Sequence, residues 1–210
     1  MKKNYQKELD QLLSQDDVKG KTLLLHSCCA PCSSYVLEYL AQYFQIILFF
    51  YNPNISLPEE YTYRAEELKR LVKESEDTYA YPVEVIEGDY EPERFFEMAK
   101  GMEHLPERGE RCYHCYEMRM REAAKLAKEK GADYFTTTLS ISPMKNAQWI
   151  NEIGETLAKE FGVSHLPSDF KKKGGYQRSI VLSAEHDLYR QDYCGCIYSK
   201  IEREKQKNES

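Results

Sequence analysis

The chain has 210 residues, room for one domain and at most a small appendage, and 41% of them are hydrophobic, enough for a buried core. Its 29 lysines and arginines against 35 aspartates and glutamates give a formal charge of -6, which excludes a protein that coats nucleic acid by bulk electrostatics but allows a local basic patch. The longest apolar run, Ile46 to Tyr51, is far too short to cross a bilayer. The N-terminus leads into acidic and amide residues rather than an apolar stretch, so no secretory signal is expected and the cytoplasm is the expected compartment.

The first twenty residues read as an amphipathic helix carrying Leu9, Leu12 and Leu13. Thr22 to Ser27 reads as a first strand, followed after Pro31 by a helix running through Tyr43. Gln45 to Tyr51 is apolar at nearly every position, which suits a strand covered on both faces of a parallel sheet. A polar helix from about Pro58 to Glu76 leads to a third strand over Pro82 to Glu87, then a short helix over Pro92 to Lys100. Tyr113 to Lys130 carries Met120, Ala123, Ala124 and Ala127 at helical spacing, with Gly131 as its stop. Asp133 to Leu139 reads as a fourth strand, Asn146 to Phe161 as a helix, Val163 to Pro167 as a fifth strand, and Gln177 to Tyr189 as a helix after a basic loop. Residues 201–210 read as a fraying polar tail. This alternation predicts a single α/β domain over residues 1–210, built on an open, mostly parallel sheet with helices on both faces.

Ligands of such sheets bind beyond the carboxyl ends of the strands. The loop after the first strand holds no glycine and carries three thiols, Cys28, Cys29 and Cys32, with Pro31 suited to the first turn of the helix that follows. Cys112 and Cys115 lie i, i+3 at a helix start, so both sulfurs share one face of its first turn. Cys194 and Cys196 flank one glycine, and a disulfide closed across so small a ring would be strained and labile. A helix N-terminus favours the thiolate, the form that binds metal. Seven cysteines in three tight clusters point to metal or redox chemistry rather than to core packing. Two CxxC pairs would serve a structural zinc, and Cys29-Ala30-Pro31-Cys32 would serve thiol–disulfide exchange. An iron–sulfur centre, which draws thiolates from separated loops, accommodates the distribution best.

Tyr51, Asn52 and Asn54 end the second strand, and Ser140 follows the fourth, all on the edge where substrate is expected. Lys171, Lys172 and Lys173, with Tyr176 and Arg178, form the one strongly basic stretch; its glycines suggest a mobile loop, and its mixture of charge and aromatic surface suits an RNA loop. His26 and His114 flank cysteines and could ligate or donate protons.

Taken together, HSCCAPCSS, FFYNPNI, ERCYHCYEMRM, TTTLSISPMKN, FKKKGGYQRS and YCGCIYSK resemble the cobalamin-independent epoxyqueuosine reductases, the QueH family, over roughly Lys21 to Lys200. The resemblance implies an adenine-nucleotide α-hydrolase-like (Rossmann-like) fold. It also implies an oxidoreductase that removes the epoxide oxygen of epoxyqueuosine at the wobble position of tRNA, the last step of queuosine biosynthesis. By the same resemblance, Cys28, Cys29, Cys112 and Cys115 would bind a 4Fe-4S cluster that supplies electrons and a Lewis acid, and Cys194 and Cys196 would be a redox-active disulfide. An extra mononuclear iron is a further implication, with Cys32 as the spare ligand for cluster or second metal. An external electron donor is required, and His26, His114 or a tyrosine would supply protons. The competing expectations are a zinc-stabilised RNA-binding module and a thiol–disulfide oxidoreductase.

Overall fold

A computed structural model describes residues 3–208. Five parallel strands, β1 (Thr22–Ser27), β2 (Gln45–Phe50), β3 (Val83–Glu87), β4 (Tyr134–Thr137) and β5 (Ser164–His165), form one open sheet in the order β3-β2-β1-β4-β5. The eight α-helices among the described residues are α1 (Tyr5–Leu13), α2 (Ala30–Leu40), α3 (Pro58–Ser75), α4 (Pro92–Ala99), α5 (Glu110–Glu129), α6 (Ala147–Phe161), α7 (Gly175–Glu185) and α8 (Ile197–Asn208). The expected α/β architecture is what the chain adopts, with no antiparallel strand among the described residues. No helix among them is long and apolar enough to cross a membrane.

The period-two geometry of the strands sorts their side chains into two cores. Leu23, Leu25, Ile46, Leu48 and Phe50 pack on α1, α2 and α3, whereas Leu24, Phe49 and Phe135 pack on α5 and α6. Leu9 and Leu13 bring α1 into the first of these, so the N-terminal helix is part of the core; residues 1 and 2 of that expectation lie outside the described residues. Strand order reverses between β1 and β4, and their carboxyl ends open a crevice at that switch point.

Several boundaries move for local reasons. β4 stops at Thr137, whose side chain accepts from Leu139 N (3.2 Å) and caps a 3-10 turn, Thr138–Ile141. β5 is an edge strand of two residues instead of five. The basic stretch is not a glycine-loosened loop: Lys172–Gly174 is a 3-10 turn, and α7 starts at Gly175, where a Cβ would overlap the Phe170 carbonyl and the Tyr35 ring. These glycines serve close packing. Residues 201–208 continue α8 rather than fraying, because the sequence there is built from helix formers and Lys207 pairs with Asp192 at 2.5 Å. Residues 209 and 210 lie outside the described residues.

Candidate active site

Each cysteine group stands where a helix begins. Cys29 is the N-cap of α2, with Pro31 and Cys32 in its first turn, so the chain leaves β1 with Cys28 and Cys29 on the connecting loop as expected. Cys112 and Cys115 lie in the opening turns of α5, which starts at Glu110 behind Gly109. Cys194 and Cys196 immediately precede α8. Unpaired N–H groups and the helix dipole at such ends favour negative sulfur.

The sulfurs of Cys28, Cys29 and Cys32 lie within 4.8 Å of one another, the one group of three or more metal-capable side chains this tight among the described residues. Thr138 Oγ1 accepts from Cys28 N (3.2 Å) and donates to its Sγ (3.3 Å), tying β1's loop to the turn after β4. Hydrogen bonds from the Cys29 and Cys32 thiols, and then the charge of Arg119, hold Cys28 well below the usual thiol range. Donating to that sulfur, and then its negative charge, pushes Cys29 up to about 12 and raises Cys32. Cys112 and Cys115 form a separate pair; burial raises both, and negative charge on Cys194 raises both further. Cys115 packs with Cys196, and Cys194 lies against the same cluster.

A cavity of about 590 Å³ opens over these groups, lined by Cys28, Cys29, Cys32 and Cys194. Its walls also carry six cationic side chains, Arg64, Arg108, Arg119, Lys145, Arg190 and Arg203, against three carboxylates, Glu107, Asp192 and Glu202. In an acidic chain this is a local reversal of sign. Arg119 is 3% exposed, donates to Asn52 Oδ1, and stands 4.0 Å from Cys115 Sγ; its Nε has no hydrogen-bond partner. No carboxylate pairs with Arg119 among the described residues, so its buried charge faces thiols from both β1's loop and α5. Lys145 is 3.5 Å from Glu107 and sits over the Tyr116 ring. Burial alone would lower its pKa, yet negative charge on Cys194 and then Glu107 raises it well above the ordinary value. Arg64, 2% exposed, pairs with Glu60 and donates to the Cys194 carbonyl at 3.2 Å. Cationic side chains in excess of carboxylates, two of them buried, match an anionic occupant, and a metal–thiolate centre is one.

The structure separates the expected site residues into those that face this cavity and those that support it. His26 is fully buried: its Nδ1 accepts from Thr137 Oγ1 (2.7 Å) and its Nε2 donates to the Tyr51 carbonyl (3.0 Å). Burial, and then the charge of Arg119, lowers its pKa to about 3, so it is a neutral brace rather than a proton source. His114 is 40% exposed on α5 beside Glu110. Neither histidine lines the cavity. Asn52 is buried and donates to the Ser27 carbonyl (2.9 Å) while orienting Arg119; Asn54 donates to the Cys194 carbonyl (3.3 Å). Tyr51 donates its hydroxyl to Glu91 (3.2 Å), and Ser140 bonds Ser168 (3.0 Å) in the interior. Short polar side chains at strand ends are taken up here by backbone groups that must be satisfied when buried.

Of the basic stretch, Tyr176 alone lines the cavity. Lys171 bonds Asp169 (2.7 Å) and the Ser140 carbonyl, Lys173 pairs with Asp10 on α1, Arg178 pairs with Glu38 and Glu185, and Lys172 is exposed. Arg64, Arg119, Lys145 and Glu107 were not singled out from sequence. Arg119 could have been found: with Cys112 and Cys115 it completes an i, i+3, i+7 stripe on α5.

The family model described as epoxyqueuosine reductase QueH matches residues 23–202. The chain is 45% identical over 204 residues to a Staphylococcus epidermidis protein named epoxyqueuosine reductase QueH, covering 95% of this chain and 86% of that one. A Staphylococcus aureus protein of the same name is 44% identical, over 95% of this chain and 85% of its own. One from Streptococcus pyogenes is 41% identical, over 93% and 78%. The thiol-lined crevice at the switch point and a match over most of the chain agree, and the chain belongs to the epoxyqueuosine reductase QueH family of oxidoreductases.

Proposed function

We propose that this chain reduces epoxyqueuosine to queuosine at the wobble position of a tRNA, in the cytoplasm, with its thiols holding a 4Fe-4S cluster and an external donor supplying electrons. The observation that carries the reading is the convergence of Cys28, Cys29 and Cys32 on a cavity lined by six cationic side chains, two of them buried, against three carboxylates. Cys28 and Cys29 with Cys112 and Cys115 are the proposed cluster ligands, and Cys32 is the thiol left over for the cluster or an additional mononuclear iron. When bound, the cluster supplies electrons singly and a Lewis acid.

The protein's own groups do the rest. A cavity of about 590 Å³ falls in the range of small-molecule sites and suits one extruded base. Tyr176 and Tyr193 on its walls offer stacking faces, and Arg108, Arg190 and Arg203 offer charge to the flanking phosphates. Opening the epoxide leaves negative charge on oxygen, and Lys145, held charged by its neighbours, presents N–H donors to that space. Arg119 favours the thiolate of Cys28 from behind.

Anaerobically purified protein is expected to be brown, absorbing broadly near ~400 nm with bleaching on reduction, and to contain iron and sulfide. It is also expected to convert epoxyqueuosine in tRNA under a chemical reductant. A colourless protein with one zinc per chain and no conversion would replace this reading with a zinc-stabilised RNA-binding module.

A further inference from the structure

The two sulfurs of the Cys194-Gly195-Cys196 turn are not equivalent in access. Cys194 lines the cavity, whereas Cys196 is 4% exposed, does not line it, and packs among Phe95, Ala99 and Cys115. Their Sγ atoms are 3.6 Å apart. The turn between them is clamped. Its Cys194 carbonyl accepts from Arg64 Nη1 and Asn54 Nδ2, its Gly195 carbonyl accepts from Ser56 N (3.1 Å), and Ile197 N donates to Ser56 Oγ (2.9 Å). Gly195 has φ +113°, and a Cβ there would meet Ile55 Cγ1 at 2.8 Å. A turn fixed on this many sides cannot exchange which sulfur it presents by a small local swing. Behind the pair, Ser199 in the first turn of α8 meets both sulfurs, its backbone N–H pointing at Cys196 Sγ (3.4 Å) and its Oγ lying 3.2 Å from Cys194 Sγ.

Thiol–disulfide exchange begins at the sulfur that the attacking thiolate can reach, and the other sulfur leaves. We propose that Cys194 and Cys196 have fixed and different roles, Cys194 being the sulfur that an entering dithiol reductant attacks and Cys196 the buried sulfur released. This rests on the reading of the pair as redox-active. One thiolate of the reductant bonds to Cys194 Sγ as the Cys194–Cys196 bond breaks. The electron pair leaves on Cys196 Sγ, which accepts from the Ser199 N–H and then takes a proton. The reductant's second thiolate attacks its own sulfur in the mixed disulfide, closing the reductant's disulfide and releasing Cys194 as a thiolate. The protein pair gains two electrons, ending as the Cys196 thiol and the Cys194 thiolate; the reductant's two thiolates lose two electrons on closing their disulfide, and the proton on Cys196 comes from solvent.

Trypsin reports this cleanly, because cleavage after Arg190 and Lys200 yields one peptide, 191–200, whose cysteines are these two alone. The intact protein is oxidised with diamide, and the peptide is expected to lose the mass of two hydrogens. Absence of that loss would remove the redox pair itself, and this proposal with it. Reduced wild-type protein is then alkylated briefly with iodoacetamide, and fragmentation locates the label. Label on Cys194 in excess over Cys196 by on the order of tenfold or more is expected from access alone. The variants Cys196→Ser and Cys194→Ser are compared for mixed-disulfide formation with glutathione disulfide, the first being expected to react on the order of tenfold or more faster. Even labelling, or preference for Cys196, with the disulfide still forming, would overturn the assignment and leave the redox pair standing.

Discussion

The thiol floor of the cavity and the lysine stretch at Lys171 to Lys173 both stand out in the sequence, and they behave oppositely in the fold. The floor gathers Cys28, Cys29 and Cys32 against a guanidinium, Arg119, that no carboxylate neutralises among the described residues. In the lysine stretch, Lys171 and Lys173 are neutralised locally by Asp169 and Asp10. Charge left unmatched at a concave place marks a site; charge already matched on the surface marks a solvated face. Three consecutive lysines are conspicuous in a row of letters, whereas Arg108, Arg190 and Arg203 come together only in space.

The contrast is broken most directly at the floor. Cys28→Ser is expected to reduce epoxyqueuosine conversion by more than ~100-fold with an unchanged far-UV circular dichroism spectrum, exceeding the effect of losing an outer partner of a metal site. Full activity would put the chemistry elsewhere. Arg119→Met tests the uncompensated cation: a loss of ~10–100-fold in activity or iron retention is expected, as for other groups that support metal ligands. A variant as active as the parent would leave the buried guanidinium as a brace for Asn52 alone.

Beneath the floor, His26 links stability to pH. Its pKa is about 3 in the fold against an ordinary 6.5, so below pH 6.5 the unfolded chain binds a proton that the folded one refuses. Stability contributed by the neutral imidazole is full above the unfolded value and is lost as pH falls through the window from about 6.5 toward 3. Between pH 7 and 5 this one group is expected to cost about 2 kcal/mol in urea-unfolding free energy, and His26→Gln should remove that share, leaving the one from His165, whose pKa burial also lowers to about 3.

The smaller effects separate the two basic regions. Replacing Arg190 and Arg203 together by alanine is expected to reduce the slope of log tRNA affinity against log salt by about 0.7 for each phosphate that the variant no longer neutralises. The triple change Lys171→Ala, Lys172→Ala and Lys173→Ala should alter affinity less than about twofold, and each exposed ion pair removed should cost about 0–1 kcal/mol of stability. The reverse ranking in filter-binding titrations would return the RNA contact to the lysine stretch.

Much of the frame was legible beforehand because periodicity is local. The apolar run of β2, the alanine stripe of α5 and Pro31 at the start of α2 each announce their element within a few residues. The end of β4, the brevity of β5 and the helical continuation through Asn208 were less legible, since a Thr137 side-chain cap, an edge position and an ion pair to Asp192 decided them. At the site, residue type was a good guide for cysteine and a poor one for histidine and asparagine. His26 and Asn52 lie close to the thiols in sequence or space, yet the alternation along β1 and the turn after β2 bury their side chains against Thr137, Tyr51 and Ser27.

By itself the sequence determined the α/β frame and the three cysteine clusters, two of them at helix starts, because hydrophobic period and helix-start signals are written in neighbouring residues. Only the tertiary structure decided which cations meet those sulfurs, which polar side chains are consumed as braces, and which sulfur of the last pair faces the cavity. Those outcomes depend on the switch point bringing β1, β4, α5 and the segment before α8 together, and no local pattern encodes which charges remain unmatched there.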